Sequence, residues 1–525
     1  MKPNRTRSAC SRRRFLKSAA FGAGALGLSG LVGGTASPAF AAPRRRKKPN
    51  VLFILIDDQM PGEMGAYGGD APTPHMDSIA TDGVKFTRGY TSSPTCTPTR
   101  YTCLTGEYAS RTEHPFFIEQ CPPGAMSVVT WNTNLVPERC MAQAFKGSGY
   151  TTGMVGKWHV SGHGKPGLAP IARGADPHTP EVAAAMKRNQ RTMIDYVKSC
   201  GFDYAASLYW NNVSNGATPG CPYHNQEWIT QGGLDFIEQN KDKPFFLYWA
   251  TSLLHAPYKG SLEAEARLTA GGWIDKAPDA QPARDTIDPR LKAAGVDPGR
   301  NNVRHVVWLD DAVGALLAKL EELELDRDTL VIYLSDQPRI GKGVLYEEGA
   351  RTPFMARWTG TIPAGQVSDA LAGNIDVAPT VFDVCDITPP RSWTLDGKSM
   401  IPLVTKKTGR LHDALFLEMG YTRAVVTGRY KYIALRYPDD VKRQIERHDK
   451  PRFHMLTNRG LQKRAMKQHP AYEDFDQLYD LKTDPDEKHN LAADPAHAET
   501  LKSMKERMAG FLKTFPKRPF GELTG

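Results

Sequence analysis

At 525 residues the chain is too long for one small domain and long enough for a large α/β core with a smaller appended unit. Its 40% hydrophobic and 24% charged residues exclude a collagenous or intrinsically disordered protein. The formal charge of +10 would suit a nucleic-acid binder only if it covered a folded face. Instead, residues 1–48 hold twelve Lys and Arg and no acid, and the rest holds 55 basic against 57 acidic residues. Nucleic acid is therefore not expected as a partner.

The N-terminal charge belongs to a leader. Ser11-Arg12-Arg13-Arg14-Phe15-Leu16-Lys17 resembles a twin-arginine export signal. An apolar, Gly/Ala-rich stretch runs from Ser18 to about Phe40, and Ala39-Phe40-Ala41 supplies small residues for cleavage. The expectation is a signal peptide over 1–41, a basic tail over 42–49, and export of the folded protein by the twin-arginine translocase to a bacterial periplasm or the medium. An N-terminal membrane anchor is the competing reading. No later stretch reaches about 18 apolar residues, so no stable anchor is expected in the mature protein. Seven cysteines follow the leader, so at least one thiol stays unpaired or is modified even in an oxidising compartment. No C-x-x-C pair offers a zinc site.

Residues 51–56 are a continuous apolar run ending in Asp57-Asp58, the pattern of a strand buried on both faces of a mostly parallel sheet. Residues 151–155 end in Gly156-Lys157-Trp158-His159, residues 245–249 end near His255, and residues 329–334 end in Ser335-Asp336-Gln337. Apolar residues at helical spacing cover about 303–323. Strands alternating with helices predict an α/β fold with a large, mostly parallel central sheet flanked by helices. Each strand delivers polar residues just past its C-terminal end, where open α/β sheets bind ligands. The character changes near 410. Residues 423–433 read as a hairpin around Thr427-Gly428, and about 498–515 as a helix. The division is a catalytic domain over 50–409 and a small C-terminal α+β subdomain, antiparallel sheet and helix, over 410–525.

Asp57, Asp58, Asp336 and Gln337 are all oxygen donors. Three carboxylates with an amide suit a hard cation, Ca²⁺ before Mg²⁺. Cys96-Thr97-Pro98-Thr99-Arg100, followed by Leu104-Thr105-Gly106, resembles the C-x-P-x-R signature of the sulfatase family, the formylglycine-dependent branch of the alkaline phosphatase superfamily. The resemblance continues in family order through Asp57-Asp58, Gly156-Lys157-Trp158-His159, His255-Ala256-Pro257-Tyr258, Ser335-Asp336-Gln337, and Tyr346-Glu347-Glu348-Gly349 with Arg351 and Pro353. Gln477-Leu478-Tyr479-Asp480-Leu481, Asp484-Pro485 and Asn490-Leu491 resemble the family's C-terminal strand segment, so the likeness covers about residues 49–495. No G-x-S-x-G elbow, H-E-x-x-H helix or P-loop offers a rival motif.

The resemblance implies a sulfuric ester hydrolase in which a formylglycine-generating maturase oxidises Cys96 to an aldehyde. The hydrate is the nucleophile: one hydroxyl attacks sulfur and expels the alcohol, and the other helps eliminate sulfate and restore the aldehyde. It further implies Asp57, Asp58, Asp336, Gln337 and the modified Cys96 as Ca²⁺ ligands, and Lys157, His255 and Lys342 on the sulfate. Arg100 and His159 would orient or polarise the formylglycine. His255 is the first candidate for proton donor to the leaving group and His159 the second. The expected substrate is a sulfated glycan or an aryl sulfate.

The chain departs from the family pattern in three places. Thr99 stands where serine is more frequent. Gln337 stands where Asn or His is more usual. Pro338 replaces a glycine, and only four residues separate Gln337 from Lys342, a shorter loop than the family's. Should Lys342 not reach the site, Lys165 is the next cation to suspect. Phe116, Phe117, Trp131 and Trp210 are candidates for stacking on a sugar or aryl ring, with loop packing an equal alternative. Two rival functions are a phosphonate or phosphodiester hydrolase of the same superfamily and a non-catalytic binder of sulfated glycans with a degenerate site.

Overall fold

The structure is a computed structural model that describes residues 48–127, 133–160, 167–172, 174–213, 221–300, 302–406, 409–448 and 459–524, without the side chains of 448 and 459–462. The leader, most of the basic tail, Trp131 and Lys165 lie outside the described residues. Strand β1 (Asn50–Ile56) is central to an eight-stranded sheet. The other strands are β2 (Val84–Phe86), β3 (Thr151–Lys157), β4 (Tyr204–Tyr209), β5 (Phe245–Ala250), β6 (Thr329–Ser335), β7 (Phe354–Arg357) and β8 (Gln366–Ser368). Their spatial order is β8-β2-β7-β6-β1-β5-β3-β4. Val51 pairs with Phe246 on β5 and with Leu330 on β6, both in parallel. β3 is likewise parallel to β5 and β4, whereas β7 runs antiparallel to β6 and β2.

The apolar run of β1 follows from burial on both faces. Val51, Phe53 and Leu55 enter one core, and Leu52, Ile54 and Ile56 enter the other. On the second face lie α1 (Pro74–Thr81), α4 (Gln226–Gln239) and α5 (Val303–Glu322), contributing Met76, Ile229, Val306 and Val313. On the first lie α2 (Cys96–Thr105), α3 (Pro180–Ser199) and α6 (Val377–Cys385), contributing Leu104, Val197 and Val381. No sequence pattern singles out helix α3. Ala185, Met186, Asn189, Met193 and Val197 form its buried side, a stripe with few large apolar residues to announce it.

After β8 and α6, an antiparallel sheet forms in the order β9 (Ala414–Met419), β10 (Thr422–Thr427), β11 (Tyr430–Leu435) and β12 (Asp476–Asp480). Between β11 and β12 the chain makes α7 (Asp439–His448) and α8 (Arg459–Gln468), and after β12 it makes α9 (Ala498–Leu512). Leu415, Val425 and Ile433 of this sheet, with Met504, Met508 and Leu512 of α9, belong to the same continuous core as the first face of the large sheet. The α/β class, the mostly parallel sheet and the smaller antiparallel sheet with its helix are those the sequence pattern implies. No helix among the described residues is long and apolar enough to cross a membrane.

Candidate active site

The ends of the parallel strands build one cluster. Asp57 and Asp58 follow β1, where the Asp57 N–H donates to Leu253 O at 2.9 Å and the Asp58 N–H to Asp336 Oδ1 at 3.0 Å. Asp58 adopts φ +59°, a left-handed conformation that Asp tolerates better than most side chains. Asp336 and Gln337 follow β6, and the Asp336 N–H donates to Ile56 O at 2.8 Å. The two acidic segments are thus laced across neighbouring strands. Lys157 closes β3, and Cys96 opens α2, every residue of which is buried. The Thr99 hydroxyl lies 2.8 Å from both Ser93 O and Asp336 O and 2.6 Å from the Thr91 hydroxyl. It pins the first turn of α2 to the end of β6, a task any short hydroxyl side chain could perform.

Carboxylate oxygens of Asp57, Asp58 and Asp336 and the Cys96 Sγ all lie within 4.8 Å of one another. Arg100 NH2 is 3.1 Å from Asp336 Oδ2 and 3.8 Å from Asp57 Oδ2, and its NH1 donates to Lys157 O at 2.9 Å. The Lys157 ammonium bonds Asp57 Oδ2 and Asn212 Oδ1. Lys342 Nζ lies 2.8 Å from Asp58 Oδ1 and 3.2 Å from Cys96 Sγ, so the short loop does bring this lysine home. Gln337 Nε2 donates to Asp58 Oδ1 and lies 3.2 Å from Cys96 Sγ, while its Oε1 is buried with no hydrogen-bond partner among the described residues. His255 Nε2 is 3.7 Å from Asp58 Oδ2, and this side chain is 16% exposed. His159 is buried at φ +52°, and its Nδ1 has no hydrogen-bond partner among the described residues.

Asn212 was missed from sequence. It lies three residues past β4, at the same sheet edge as the other site residues, but the mixed sequence of β4 hid the strand that carries it. Two aromatic candidates prove to be packing residues. Trp210 is 1% exposed and meets Tyr196 edge-on at 5.3 Å, and Phe117 is fully buried with the Arg518 guanidinium 5.2 Å from its ring. Neither offers a face to a sugar, because each sits directly against the core. Phe116 is half-buried. All seven cysteines after the leader are buried and free.

Three carboxylates face three cations, Arg100, Lys157 and Lys342. Burial opposes the charge on Asp57, but Lys157, His255 and Arg100 outweigh it and hold the carboxyl well below its ordinary range. Burial is outweighed at Asp58 too, chiefly by Lys342 and His255. Asp336 is pushed up to about 7 by burial and by Asp57. Burial, with Lys342 at His255 and Lys157 at His159, lowers both histidines. Burial and Asp57 push the Cys96 thiol up to about 12, against the effect of a helix N-terminus. Converging hard oxygens and one orphaned amide oxygen fit a divalent cation of the Ca²⁺ or Mg²⁺ kind. Such an ion would turn a cluster of balanced charge into a cationic one, suited to an anion.

A sulfatase family model matches residues 49–387, and one for the C-terminal part of N-sulphoglucosamine sulphohydrolases matches residues 339–514. The chain belongs to the sulfatase family. It is a sulfuric ester hydrolase, in company with relatives such as the N-acetylgalactosamine-6-sulfatase of Rattus norvegicus. That relative is 28% identical over 418 residues, covering 73% of this chain and 71% of its own. The N-acetylgalactosamine-6-O-sulfatase of Bacteroides thetaiotaomicron is 25% identical, covering 88% of this chain and 92% of its own. Among solved structures, one from the glycosaminoglycan-metabolising locus of Bacteroides thetaiotaomicron superposes with a TM-score of 0.60 at 22% identity, over 90% of this chain and all of the other. A sulfatase from Pseudoalteromonas sp. does so at 0.56 and 21%, over 91% and 92%. These two likenesses concern the fold.

Proposed function

We propose that the chain is an exported sulfatase of sulfated glycans, with Cys96 converted to formylglycine and Ca²⁺ held by Asp57, Asp58, Asp336 and Gln337. One observation carries the chemistry. The Cys96 sulfur is the one soft atom grouped with carboxylate oxygens of Asp57, Asp58 and Asp336, all within 4.8 Å of one another. Sulfur is a poor partner for such an ion, whereas an oxygen on the same carbon suits it. When bound, the ion would polarise the sulfate and offset its charge. Lys342, 3.2 Å from the reacting position, and Lys157, oriented by Asp57 and Asn212, neutralise charge as the ester bond breaks. Arg100 fixes Asp336 and the end of β3. His255 is the more exposed of the two histidines, which favours it over the buried His159 as proton carrier to the leaving oxygen. The names of the relatives support a sulfated amino sugar as substrate, and the leader supports twin-arginine export.

Mass spectrometry of the tryptic peptide containing Cys96, taken from active protein, should show an aldehyde in place of the thiol. Fully active protein with only unmodified cysteine would overturn the mechanism. Chelation should abolish activity and Ca²⁺ should restore it, with Gln337→Ala less damaging than Asp57→Ala because a neutral ligand is lost rather than a charged one. Sulfated galactosamine and glucosamine fragments should be turned over faster than phosphonate or phosphodiester analogues, and the reverse order would move the assignment within the superfamily.

A further inference from the structure

From residue 49 onward, the largest local imbalance of charge lies in the excursion between β11 and β12. Residues 441–472 hold nine Lys and Arg and two acids. Everything else from residue 49 onward holds 46 basic against 55 acidic residues, so a basic stretch interrupts an otherwise acidic sequence. Of the acids that flank it, Asp439 and Asp440 occupy the first turn of α7, where the helix dipole favours them, Asp439 also lies 3.2 Å from Lys442 Nζ, and Asp474 accepts a hydrogen bond from Asn490 at 2.8 Å.

The fold displays this charge. α7 lays Val441 and Ile445 against Leu435, Tyr437 and Tyr421, which leaves Lys442, Arg443 and Arg447 exposed. α8 buries Ala465, and Lys463, Arg464 and Lys467 are exposed, with Lys463 and Lys467 one turn apart on one face. The chain leaves α8 at His469, whose ring stacks on Tyr346 at 3.6 Å and whose Nε2 lies 3.1 Å from Glu348 Oε1. The cationic helix is therefore fastened to the segment that carries Lys342.

We propose that α7 and α8 present a docking surface for a sulfated polysaccharide, the polymer whose esters the site hydrolyses. The proposal rests on the sulfatase reading and deepens it, since it makes the substrate a chain rather than a free sugar. A polyanion that meets an array of cations releases condensed counterions, so its attachment is strong at low salt and weakens steeply as salt rises. A docked chain also raises the local concentration of its own esters at the site. Each turnover removes one negative charge from the polymer, so its grip declines as desulfation proceeds and the product leaves.

The test uses the full matured protein, heparin as the sulfated polymer, and an aryl sulfate as the small substrate. In 0.15 M salt, Lys463→Glu/Arg464→Glu/Lys467→Glu should bind heparin at least about tenfold more weakly than the parent. Its retained turnover of the aryl sulfate would show that it is folded. Equal heparin affinity for parent and variant overturns the proposal. So does parent affinity for polyglutamate or duplex DNA equal to that for heparin, which would make the face a generic polyanion patch. If the triple variant does not fold, Lys442→Gln/Arg443→Gln on α7 carries the same comparison. Failure of the parent itself on every sulfate ester would count against the sulfatase reading, separately from the heparin result.

Discussion

Two clusters of buried charge involve the segment from Lys342 to Glu348, and they are built on opposite plans. In the first, Asp57, Asp58 and Asp336 meet Arg100, Lys157 and Lys342, yet Gln337 Oε1, His159 Nδ1 and Arg100 Nε have no hydrogen-bond partner among the described residues. In the second, Lys431 of β11 reaches Glu347 at 2.8 Å, Glu487 at 2.9 Å and Leu345 O at 3.1 Å. The Glu347 N–H donates to Glu487 Oε2, and the Tyr90 hydroxyl donates to Glu347 at 2.9 Å. The second cluster turns nearly all its polar groups upon one another, with Glu487 Oε1 in ionic contact with Lys431 but without a hydrogen bond among the described residues, and the first leaves several over. Unmet buried groups cost free energy, and their concentration at one sheet edge marks the place where a ligand completes the structure.

Removing one cation from each cluster should separate the two plans most sharply. Lys431→Met leaves two carboxylates buried with no ammonium between them, and should cost about 3–5 kcal/mol of stability. Lys342→Ala should lower kcat about 10²-fold and cost less than half as much stability, since Lys157 and His255 still face the acids. Thermal unfolding and steady-state kinetics on both variants decide the matter, and a Lys431→Met protein as stable as the parent would erase the distinction.

A smaller effect concerns pH. Glu487 is pushed up to about 7 by burial and by Glu347, against Lys431. Its folded value lies above the ordinary 4.5, so its contribution to stability is complete below about 4.5 and is lost as pH rises through 7. The midpoint temperature of the parent should therefore fall relative to that of Glu487→Gln between about pH 5 and 8. A constant difference across that range would show that the group does not change protonation there. Smaller still is Thr99→Ser, which keeps the hydroxyl and should shift stability by less than about 0.5 kcal/mol, whereas Thr99→Val should cost about 1–3 kcal/mol by stranding buried acceptors. Equal losses would show that the hydroxyl contributes no more than the methyl group to holding α2.

The first cluster was legible in the sequence because its residues stand where long apolar runs stop abruptly, as Asp57-Asp58 does after β1 and Asp336-Gln337 after β6. Asn212 was hidden because β4 is an edge strand whose Tyr204 and Ala206 are only half-buried, so no apolar run announces it. β2, β7 and β8 are three or four residues long, too short for periodicity to speak. Lys342 could be suspected from its place between two motifs, but chain length fixes only a reach. Gly343, whose N–H donates to Pro94 O at 2.8 Å, supplies part of the direction. The second cluster depends on β11, the segment after Lys342 and the turn at Glu487, contacts that no local pattern encodes.

Cys96 has no surface open to solvent, and the whole of α2 is buried with it. Under the proposed chemistry, a maturation enzyme must take hold of this segment as loose chain, before the helix docks. Oxidation and folding are then competitors in time on the newborn polypeptide. On that reading, a molecule that folded first would keep its thiol while it stayed folded, and the aldehyde fraction of a purified sample would record that race.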